Sequence, residues 1–436
     1  MVNVSRVGEA RWSGRTTWMF VSFALGLLLE SYVFSLPAIA VYWVSIPQSL
    51  GELLLAWAPI WLIIGIIIAG PVSDRLGRKV TLYITLAFYG VGGILLYFSS
   101  SYVLLLISLA LMLMAGGGEM NSIMVASHEL MPRRHRGKAM MMEINFINLG
   151  GFILAFLALS SATSAVHFQR GVVAIAVVIV VVILLFARAS MPESVIWLEK
   201  RGQHEKAMQQ IKAYWGEDWQ AATAPEPEPP KTAALTRQNS IVFRVVIMTI
   251  IAAANTIGFG LVAYVFSFDY FPHLAPTILA VFEGVGFVGG FIGLLADRWS
   301  RRHMLFWSFL FTFIFTVIIG VTTKIWLHYM PLFWILMVLL AIANSVCYLT
   351  EDTVKPEVWP TELRGTWTAI TRFLSIGLYI PAIYLTTDMA AHHPGQYFLF
   401  NAAVWFVGLL AAAAWFVYGR ETGQGISIAA ASGETD

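Results

Sequence analysis

Three acidic residues lie deep inside long apolar stretches of this chain, and of all its side chains they say most about its chemistry. They are Glu30, Glu119 and Glu283. Counting about 1.5 Å per helical residue, each lies roughly 20 Å from the charged end of its stretch. A charged side chain at that depth in a membrane costs at least ~2.5–3.5 kcal/mol unless it is paired or solvated. Because burial and neighbouring charges control the ionisation of a carboxyl group, such acids can bind and release protons near neutral pH.

Each of these acids also has a simpler interpretation. Glu30 could be a permanently charged ligand for a cation or the structural partner of another helix. Glu119 follows three glycines and could be a structural acid that ties its helix to a neighbour. Glu283 lies among four glycines, which permit close helix packing, so a second proton site and a structural role both stay open.

Arg372 is the deepest basic residue with a plausible binding role, roughly 12 Å inside its apolar stretch. Its guanidinium could bind a substrate carboxylate with two parallel hydrogen bonds. The alternative is a salt bridge to Glu351 or Asp352, at the end of the preceding stretch. Aromatic and amide side chains facing a cavity would suit a small ring or a polar metabolite. The candidates are Tyr32, Asn145, Asn255 and Tyr264.

The composition is that of a membrane protein. Hydrophobic residues make up 58% of the 436 residues, charged residues 12%, and the mean hydropathy is +0.74. These values exclude an ordinary soluble domain. One cysteine excludes an internal disulfide framework or a thiolate metal site. No phosphate-binding Gly-rich Lys-Ser/Thr loop for ATP hydrolysis is present, so transport must draw on an ion or solute gradient. We expect no enzyme activity, no cofactor and no metal.

Twelve apolar stretches are long enough to cross a bilayer core of ~30 Å as helices. Backbone amides in lipid need internal partners, so these stretches must be helices. The sequence therefore predicts an all-α polytopic membrane protein with twelve transmembrane helices in two pseudo-symmetric bundles of six. The predicted segments are 17–44, 52–71, 80–98, 102–130, 139–161, 171–189, 241–268, 275–295, 303–322, 329–351, 365–387 and 396–418.

Two charged motifs occur twice, once in each set of six segments. Residues 70–79, Gly-Pro-Val-Ser-Asp-Arg-Leu-Gly-Arg-Lys, return as 293–302, Gly-Leu-Leu-Ala-Asp-Arg-Trp-Ser-Arg-Arg. Glu129-x-x-Pro132-x-x-x-Arg136-Gly137 returns as Glu357-x-x-Pro360-x-x-x-Arg364-Gly365. The step from Asp74 to Glu129 is 55 residues, and the step from Asp297 to Glu357 is 60. This nearly constant spacing indicates two homologous halves of a membrane transporter.

Basic residues set the expected orientation. They cluster before the first segment and in the loops that join segments 2 to 3, 4 to 5, 8 to 9 and 10 to 11, whereas the opposite loops carry only Arg170 and Lys324. Both termini and the middle loop are therefore predicted to face the cytoplasm. Four parts follow: an N-terminal bundle (1–190), a linker with a short helix and a Pro-rich stretch (191–240), a C-terminal bundle (241–422) and a tail (423–436).

The repeated loops resemble those of a known family. Residues 74–79, Asp-Arg-Leu-Gly-Arg-Lys, are the signature of the major facilitator superfamily, which the chain resembles from its first segment to Thr422. The paired Glu-x-x-Pro-x-x-x-Arg-Gly loops, residues 192–198 and residues 421–423 resemble its sugar-porter branch. Residues 115–119, 131–137 and 371–377 are similar to bacterial metabolite–proton symporters related to niacin and organic-cation transporters.

The resemblance implies a cytoplasmic gate that forms when the protein opens outward and breaks when it opens inward. Ion pairs at a wet surface are worth only ~0–1 kcal/mol, which suits contacts that break in every cycle. The alternative is that these residues are topology signals and helix caps. Glu143, roughly 9 Å inside its segment, could pair with Arg75 or Arg136. The gate candidates are Asp74, Arg75, Arg78, Glu129, Arg136, Glu143, Glu193, Asp297, Arg298, Arg301, Glu357, Arg364 and Glu421.

By this resemblance the chain is a monomeric secondary transporter of the plasma membrane that works by alternating access. Glu30 is the preferred proton-coupling acid, because it occupies the place in the first segment where these symporters carry one. An organic or aromatic acid imported with protons is the favoured substrate, and no nucleic acid is expected. An organic cation, a sugar or polyol, uniport, and a non-transporting sensor of the same fold are the alternatives.

Overall fold

The computed structural model describes residues 11–40, 43–45, 50–215, 240–360, 364–424 and 426. Within them, twelve helices are long and apolar enough to cross a membrane, which confirms the predicted all-α fold of a multi-pass membrane protein. They are α1 (Gly14–Ala40), α2 (Gly51–Leu76), α3 (Arg78–Phe98), α4 (Tyr102–Leu130), α5 (Arg136–Ser160), α6 (Val166–Ala189), α7 (Ile241–Phe266), α8 (Pro272–Leu295), α9 (Arg301–Val321), α10 (Met330–Glu357), α11 (Arg364–His392) and α12 (Pro394–Tyr418).

Two of these helices are irregular in their last turns. The last turns of α7, Leu261–Phe266, are wound as a π-helix. The end of α8, Gly290–Leu295, is wound as a 3₁₀-helix. Both departures from α-helical geometry occur beside the interface between the first six helices (the N-half) and the last six (the C-half). Single π-turns inside helices occur frequently at functional sites, so the winding of α7 is a pointer to function.

A short helical hairpin follows α6. Helices Val195–Lys200 and His204–Trp215 are separated by Gly202, whose φ of 69° needs a residue without a Cβ. Val195, Leu198, Ala207 and Ile211 form its small buried core. The predicted amphipathic helix is thus two helices. The Pro-rich stretch 224–230 and residues 427–436 of the tail lie outside the described residues, so the linker and tail boundaries stay predictions.

Helices pack closely within each half because small residues let the backbones approach. At Gly117 on α4, a Cβ would collide with the carbonyl oxygen of Leu62 on α2, and at Gly65 on α2 a Cβ would collide with the carbonyl oxygen of Met114 on α4. Between the halves, α5 packs on α8 and α10, and α2 packs on α11. The loops with the predicted basic clusters all lie at one end of the helices, called here the basic face.

Candidate functional site

A cavity of about 80 Å³ lies between the two halves, walled by α1, α2 and α5 on one side and α7, α10 and α11 on the other. Five ionisable side chains line it: Glu30, Glu351, Asp352, Lys355 and Arg372. Five aromatic rings also line it: Phe34, Phe259, Tyr264, Tyr348 and Tyr379. The cavity therefore combines charge with flat apolar surface, which is the composition of a site for a small charged or aromatic ligand.

Four of the ionisable groups form one buried network on the C-half wall. Lys355 Nζ lies 2.8 Å from Glu351 Oε1 and 2.7 Å from Asp352 Oδ1. Arg372 Nη1 lies 3.7 Å from Asp352 Oδ1, a longer contact. Asn255 donates a hydrogen bond of 3.2 Å to the other oxygen of Glu351. Buried charges are costly unless they are paired, and in this network each of the four charged groups has an oppositely charged partner.

Glu30 differs from the other acids of the cavity. Its side chain is 6% exposed and lies on α1, in the N-half wall. Within the described part of the chain no lysine or arginine pairs directly with it. The two basic residues that line the cavity, Lys355 and Arg372, both lie on the C-half, and both contact Asp352. Glu30 is thus the one carboxyl of the described cavity lining for which no ion pair is found.

Glu119 is placed quite differently, inside the N-half. It forms a salt bridge with Arg188 of α6, and both side chains are 0% exposed. Thr85 donates a hydrogen bond of 2.8 Å to the same carboxylate, and Arg188 donates a further one of 2.6 Å to the carbonyl oxygen of Leu82. Arg188 was missed by the sequence analysis, although a lone basic residue inside a predicted segment is a signal that an acid lies opposite it. This geometry is that of a structural acid.

Glu283 is connected to the cavity through Tyr264. The Tyr264 hydroxyl donates a hydrogen bond of 3.3 Å to Glu283, and Ser35 donates one of 3.3 Å to Tyr264. Ser35 belongs to the N-half, whereas Tyr264 and Glu283 belong to the C-half, so this chain of hydrogen bonds crosses the interface. Glu283 is 0% exposed and packs against Gly151 of α5, where a Cβ would collide with it. Tyr264 lies within the π-helical turns of α7.

The predicted substrate-binding residues are only partly brought together. Arg372 and Tyr264 line the cavity, and Asn255 reaches it through Glu351. Tyr32 instead donates a hydrogen bond of 3.1 Å to the carbonyl oxygen of Val173, inside the N-half. Asn145 donates one of 2.9 Å to the carbonyl oxygen of Phe287 and so joins α5 to α8. Neither Tyr32 nor Asn145 is among the described residues that line the cavity.

Glu351 and Asp352 were named from the sequence as possible salt-bridge partners of Arg372, and the structure has the pair with Asp352. Lys355 was missed, because the tenth predicted segment ends too early. Hydropathy places its end at residue 351, whereas α10 continues to Glu357. The extra turns carry Asp352 and Lys355 into the buried helix. Their pairing at helical spacings of three and four residues neutralises the charges that lowered the hydropathy.

At the basic face, two predicted gate acids cap helices within their own halves. Glu193 accepts hydrogen bonds of 2.9 Å from the Arg78 amide and 3.2 Å from the Lys79 amide, at the start of α3. Glu421 accepts one of 2.8 Å from the Arg301 amide, at the start of α9. A carboxylate is favoured at a helix N-terminus. Burial raises the pKa of the Glu193 carboxyl, and the backbone N–H groups partly oppose this effect.

Two further gate acids also bind within their own halves. Glu129 accepts a hydrogen bond of 2.6 Å from Ser194, and Glu357 accepts one of 2.6 Å from Thr422. Arg301 approaches Glu357 to 3.5 Å, and these two side chains are buried rather than at a wet surface as predicted. Ser194, which binds Glu129, directly follows Glu193, and Thr422, which binds Glu357, directly follows Glu421. The two halves therefore repeat the same arrangement at the basic face.

One acidic gate candidate binds across the halves. Asp297 of the C-half accepts a hydrogen bond of 3.4 Å from the Lys138 amide, at the start of α5. Arg75 and Arg298 are exposed. Glu143 is buried, at 1% exposure, and its pairing with Arg75 or Arg136 stays a prediction.

Two further arginines of the predicted gate, Arg364 and Arg136, lie near the start of a helix. Arg364 donates hydrogen bonds to the carbonyl oxygens of Pro356 (2.9 Å) and Trp359 (3.2 Å), which join α11 to the end of α10. Arg136 is buried, at 8% exposure, at the start of α5. The side chain of Asp74 lies outside the described residues.

Comparisons with known proteins agree with this architecture. The chain is 31% identical over 150 residues to the glucose transporter GlcP of Staphylococcus epidermidis, a match that spans 34% of the chain and 33% of that relative. It is 25% identical over 412 residues to the 4-hydroxybenzoate transporter PcaK of Acinetobacter baylyi, which covers 88% of the chain and 87% of the relative.

Solved structures match nearly the whole chain. The proton:xylose symporter XylE bound to 6-bromo-6-deoxy-D-glucose superposes with a TM-score of 0.75 at 18% identity, covering 96% of this chain and 98% of that one. The inward-open xylose transporter XylE from E. coli superposes with a TM-score of 0.67 at 17% identity, covering 96% and 99%. The sequence model of the Major Facilitator Superfamily matches residues 16–379. With that match across the repeated loops and both halves, the chain belongs to the Major Facilitator Superfamily.

Proposed function

We propose that the protein imports a small organic carboxylate, with an aromatic acid favoured, together with protons. The observation that carries the proposal is the position of Arg372, a buried cation on the wall of the cavity between the halves, surrounded by aromatic rings. A guanidinium binds a carboxylate through two parallel hydrogen bonds, which fixes both the position and the orientation of the ligand.

Arg372 is available because its contact with an acid is the looser one in the network, and its other contacts are with the neutral sulfur atoms of Met120 and Met124. Asp352 lies 2.7 Å from Lys355 but 3.7 Å from Arg372. Lys355 therefore supplies the main counter-charge of Asp352. A substrate carboxylate can therefore bind Arg372 while Asp352 keeps its ion pair with Lys355. An unpaired acid in a buried site would be costly.

The aromatic rings favour a flat ligand. Phe259 and Tyr348 are stacked with centroids 6.1 Å apart and an interplanar angle of 17°. Phe34 meets Tyr264 edge to face at 5.4 Å. Rings of this kind form stacked or edge-to-face contacts with an aromatic ligand, worth ~0.5–1.5 kcal/mol beyond burial of their area. The name of the relative PcaK, a 4-hydroxybenzoate transporter, supports the same substrate class.

Proton coupling follows from the charges around the cavity. Three acids and two bases line it, so the ionised wall carries one net negative charge. A substrate carboxylate would add a second. A proton on Glu30 removes one of these charges without disturbing an ion pair, and the loaded cavity then has the same net charge as the empty one. Movement of the loaded site between the two faces would then carry the carboxylate and the proton together.

Loading requires the cavity to widen, which supports alternating access. Its volume is about 80 Å³, smaller than the ~150 Å³ of an apolar cavity that holds benzene. The hydrogen bonds Ser35–Tyr264 and Lys138–Asp297 cross the halves on the two sides of the cavity. Breaking one or the other in turn would open the cavity to one face at a time.

An organic cation is the second candidate, because the excess of acids over bases in the cavity would favour it. Purified protein in liposomes with an internal pH dye separates the two. The probes are 4-hydroxybenzoate, tetraethylammonium and glucose, with protein-free liposomes as the control for passive diffusion of the acid. We expect 4-hydroxybenzoate to acidify the lumen and Glu30→Gln to abolish the signal. Acidification with another probe alone, or uptake of radiolabelled 4-hydroxybenzoate no faster than in protein-free liposomes, would contradict the proposal.

A further inference from the structure

A second cavity lies between the central cavity and the basic face. Its volume is about 360 Å³, and its walls come from α2 and α4 of the N-half and α11 of the C-half. It extends from Ser73 and Thr366, at the basic face, inward to Ile66 and Phe373. It is thus larger than the ~150 Å³ of a cavity that holds benzene, whereas the central cavity is smaller.

A single apolar layer separates the two cavities. Leu62, Ile66 and Ile376 form a buried cluster with Ala369 packed against it. Leu62 and Ile376 line the central cavity, whereas Ile66 and Ala369 line the second cavity. The cluster joins α2 to α11 across the interface between the halves. Separating these helices by a few ångströms would connect the cavities, so the layer is a barrier on a direct route to the basic face.

The second cavity also has an unmet hydrogen-bonding group. Asn121 of α4 lines it and is 6% exposed, and its side-chain oxygen has no hydrogen-bond partner in the part of the chain that the structure describes. A buried polar atom without a partner costs about 1–3 kcal/mol, which a ligand donor such as a hydroxyl group would recover. Arg78 lines the mouth, and no acid is among the described residues of the lining.

We propose that the second cavity is an antechamber, a weaker binding site that the transported carboxylate occupies between the central site and the basic face. The inference rests on the proposed function, because its ligand is the same solute. Asn121 accepts a hydrogen bond from the solute, Arg78 supplies the positive potential at the mouth, and the ring of the solute packs on Ile66 and Phe373. Leu62, Ile66 and Ile376 form the barrier that the solute crosses.

Cysteine labelling tests the antechamber directly. The one cysteine of the chain, Cys347, is buried, so the single substitution Thr366→Cys places a reactive thiol on the cavity wall. Ala213→Cys, on the exposed face of His204–Trp215, is the control for access of the reagent. Labelling with a membrane-impermeant maleimide is measured in the Arg372→Gln background, where the central site cannot hold the carboxylate. We expect 4-hydroxybenzoate to slow labelling of Thr366→Cys at least threefold, to leave Ala213→Cys unchanged, and to lose its effect when Asn121→Ala is added.

The outcomes separate the two proposals. If wild-type protein binds 4-hydroxybenzoate but the probe never protects Thr366→Cys in the Arg372→Gln background, the antechamber is wrong and the proposed function stands. If wild-type protein does not bind the probe, the proposed function is wrong and the antechamber with it. If Thr366→Cys is blocked in lipid vesicles and reacts in detergent regardless of the probe, a lipid chain fills the cavity and the inference is again wrong.

Discussion

Glu119 and Arg188 form a fully buried salt bridge between α4 and α6, and this pair distinguishes Glu119 from Glu30. Glu119 also accepts a hydrogen bond from Thr85, so its carboxylate is held by partners within one half. Glu30 faces the cavity between the halves and pairs directly with no described cation. Two acids that are equally deep by counting residues are thus assigned to different tasks by their partners. We infer a structural role for Glu119 and proton coupling for Glu30.

Stability measurements test this assignment. Glu119→Gln leaves the Arg188 guanidinium buried without its counter-charge, and breaking a buried ion pair typically costs ~3–5 kcal/mol. We expect a clear fall in the thermal unfolding temperature of the purified protein, whereas Glu30→Gln should unfold close to wild type. Restoring stability with the double substitution Glu119→Met and Arg188→Met would support the pair as the cause. Equal stability of Glu119→Gln and wild type would show that the pair is not structural.

Transport measurements on Glu30→Gln test proton coupling. Without a titratable group on α1, solute uptake should no longer respond to a pH gradient and should carry no protons. Exchange of external for internal solute should continue, because it needs no net proton movement. The measurement is uptake and counterflow of radiolabelled 4-hydroxybenzoate in liposomes, with Glu283→Gln assayed alongside. If pH-driven uptake survives in Glu30→Gln but is lost in Glu283→Gln, coupling belongs to α8 instead.

Substitution of Arg372 tests the proposed carboxylate contact. Arg372→Lys keeps the charge but loses the two parallel hydrogen bonds, and one charged hydrogen bond is worth ~1.5–3 kcal/mol, so KM should rise roughly tenfold or more. Arg372→Gln should abolish uptake of the carboxylate. Lys324→Gln, an exposed cation at the opposite face, is the matched control and should transport normally. Faster uptake of tetraethylammonium by Arg372→Gln would instead favour the organic-cation alternative.

Some features of the fold and the site could be predicted from the sequence, and others could not. The twelve helices follow from uninterrupted apolar length, because lipid leaves the backbone no other choice. Arg372 and Glu30, which line the cavity, were chosen from their depth together with the resemblance to proton symporters. Arg188 and Lys355 were not assigned to the interior, because what allows each to be buried is an acid on another helix or one turn away. The side on which Tyr32 lies depends on helix rotation, which an apolar stretch with little periodicity does not reveal.

Tyr264 links Ser35 to Glu283 across the halves, and Tyr264→Phe removes that link without changing the ring. Losing these hydrogen bonds, each worth ~0.5–1.5 kcal/mol, should favour opening toward the face opposite the basic one. Ala38, which lines a small cavity next to Tyr264, is the reporter position. We expect Ala38→Cys to react with an impermeant maleimide roughly two- to tenfold faster in Tyr264→Phe. Tyr32→Phe, whose hydroxyl binds within the N-half, is the control, and an equal effect there would exclude a gating role for Tyr264.

Asp297 and Glu421 separate the gate from the helix caps at the basic face. Asp297 contacts α5 across the halves, whereas Glu421 caps α9 inside its own half. Asp297→Asn should therefore leave unfolding nearly unchanged, because the contact is long and partly exposed, and should speed maleimide labelling of Thr366→Cys from the basic face. Glu421→Gln should lower stability by ~0.5–2 kcal/mol, as the loss of a cap does, with little effect on labelling. If both variants change stability and neither changes labelling, the charged loops act as caps alone, and the closure of this face must depend on the apolar layer of Leu62, Ile66 and Ile376.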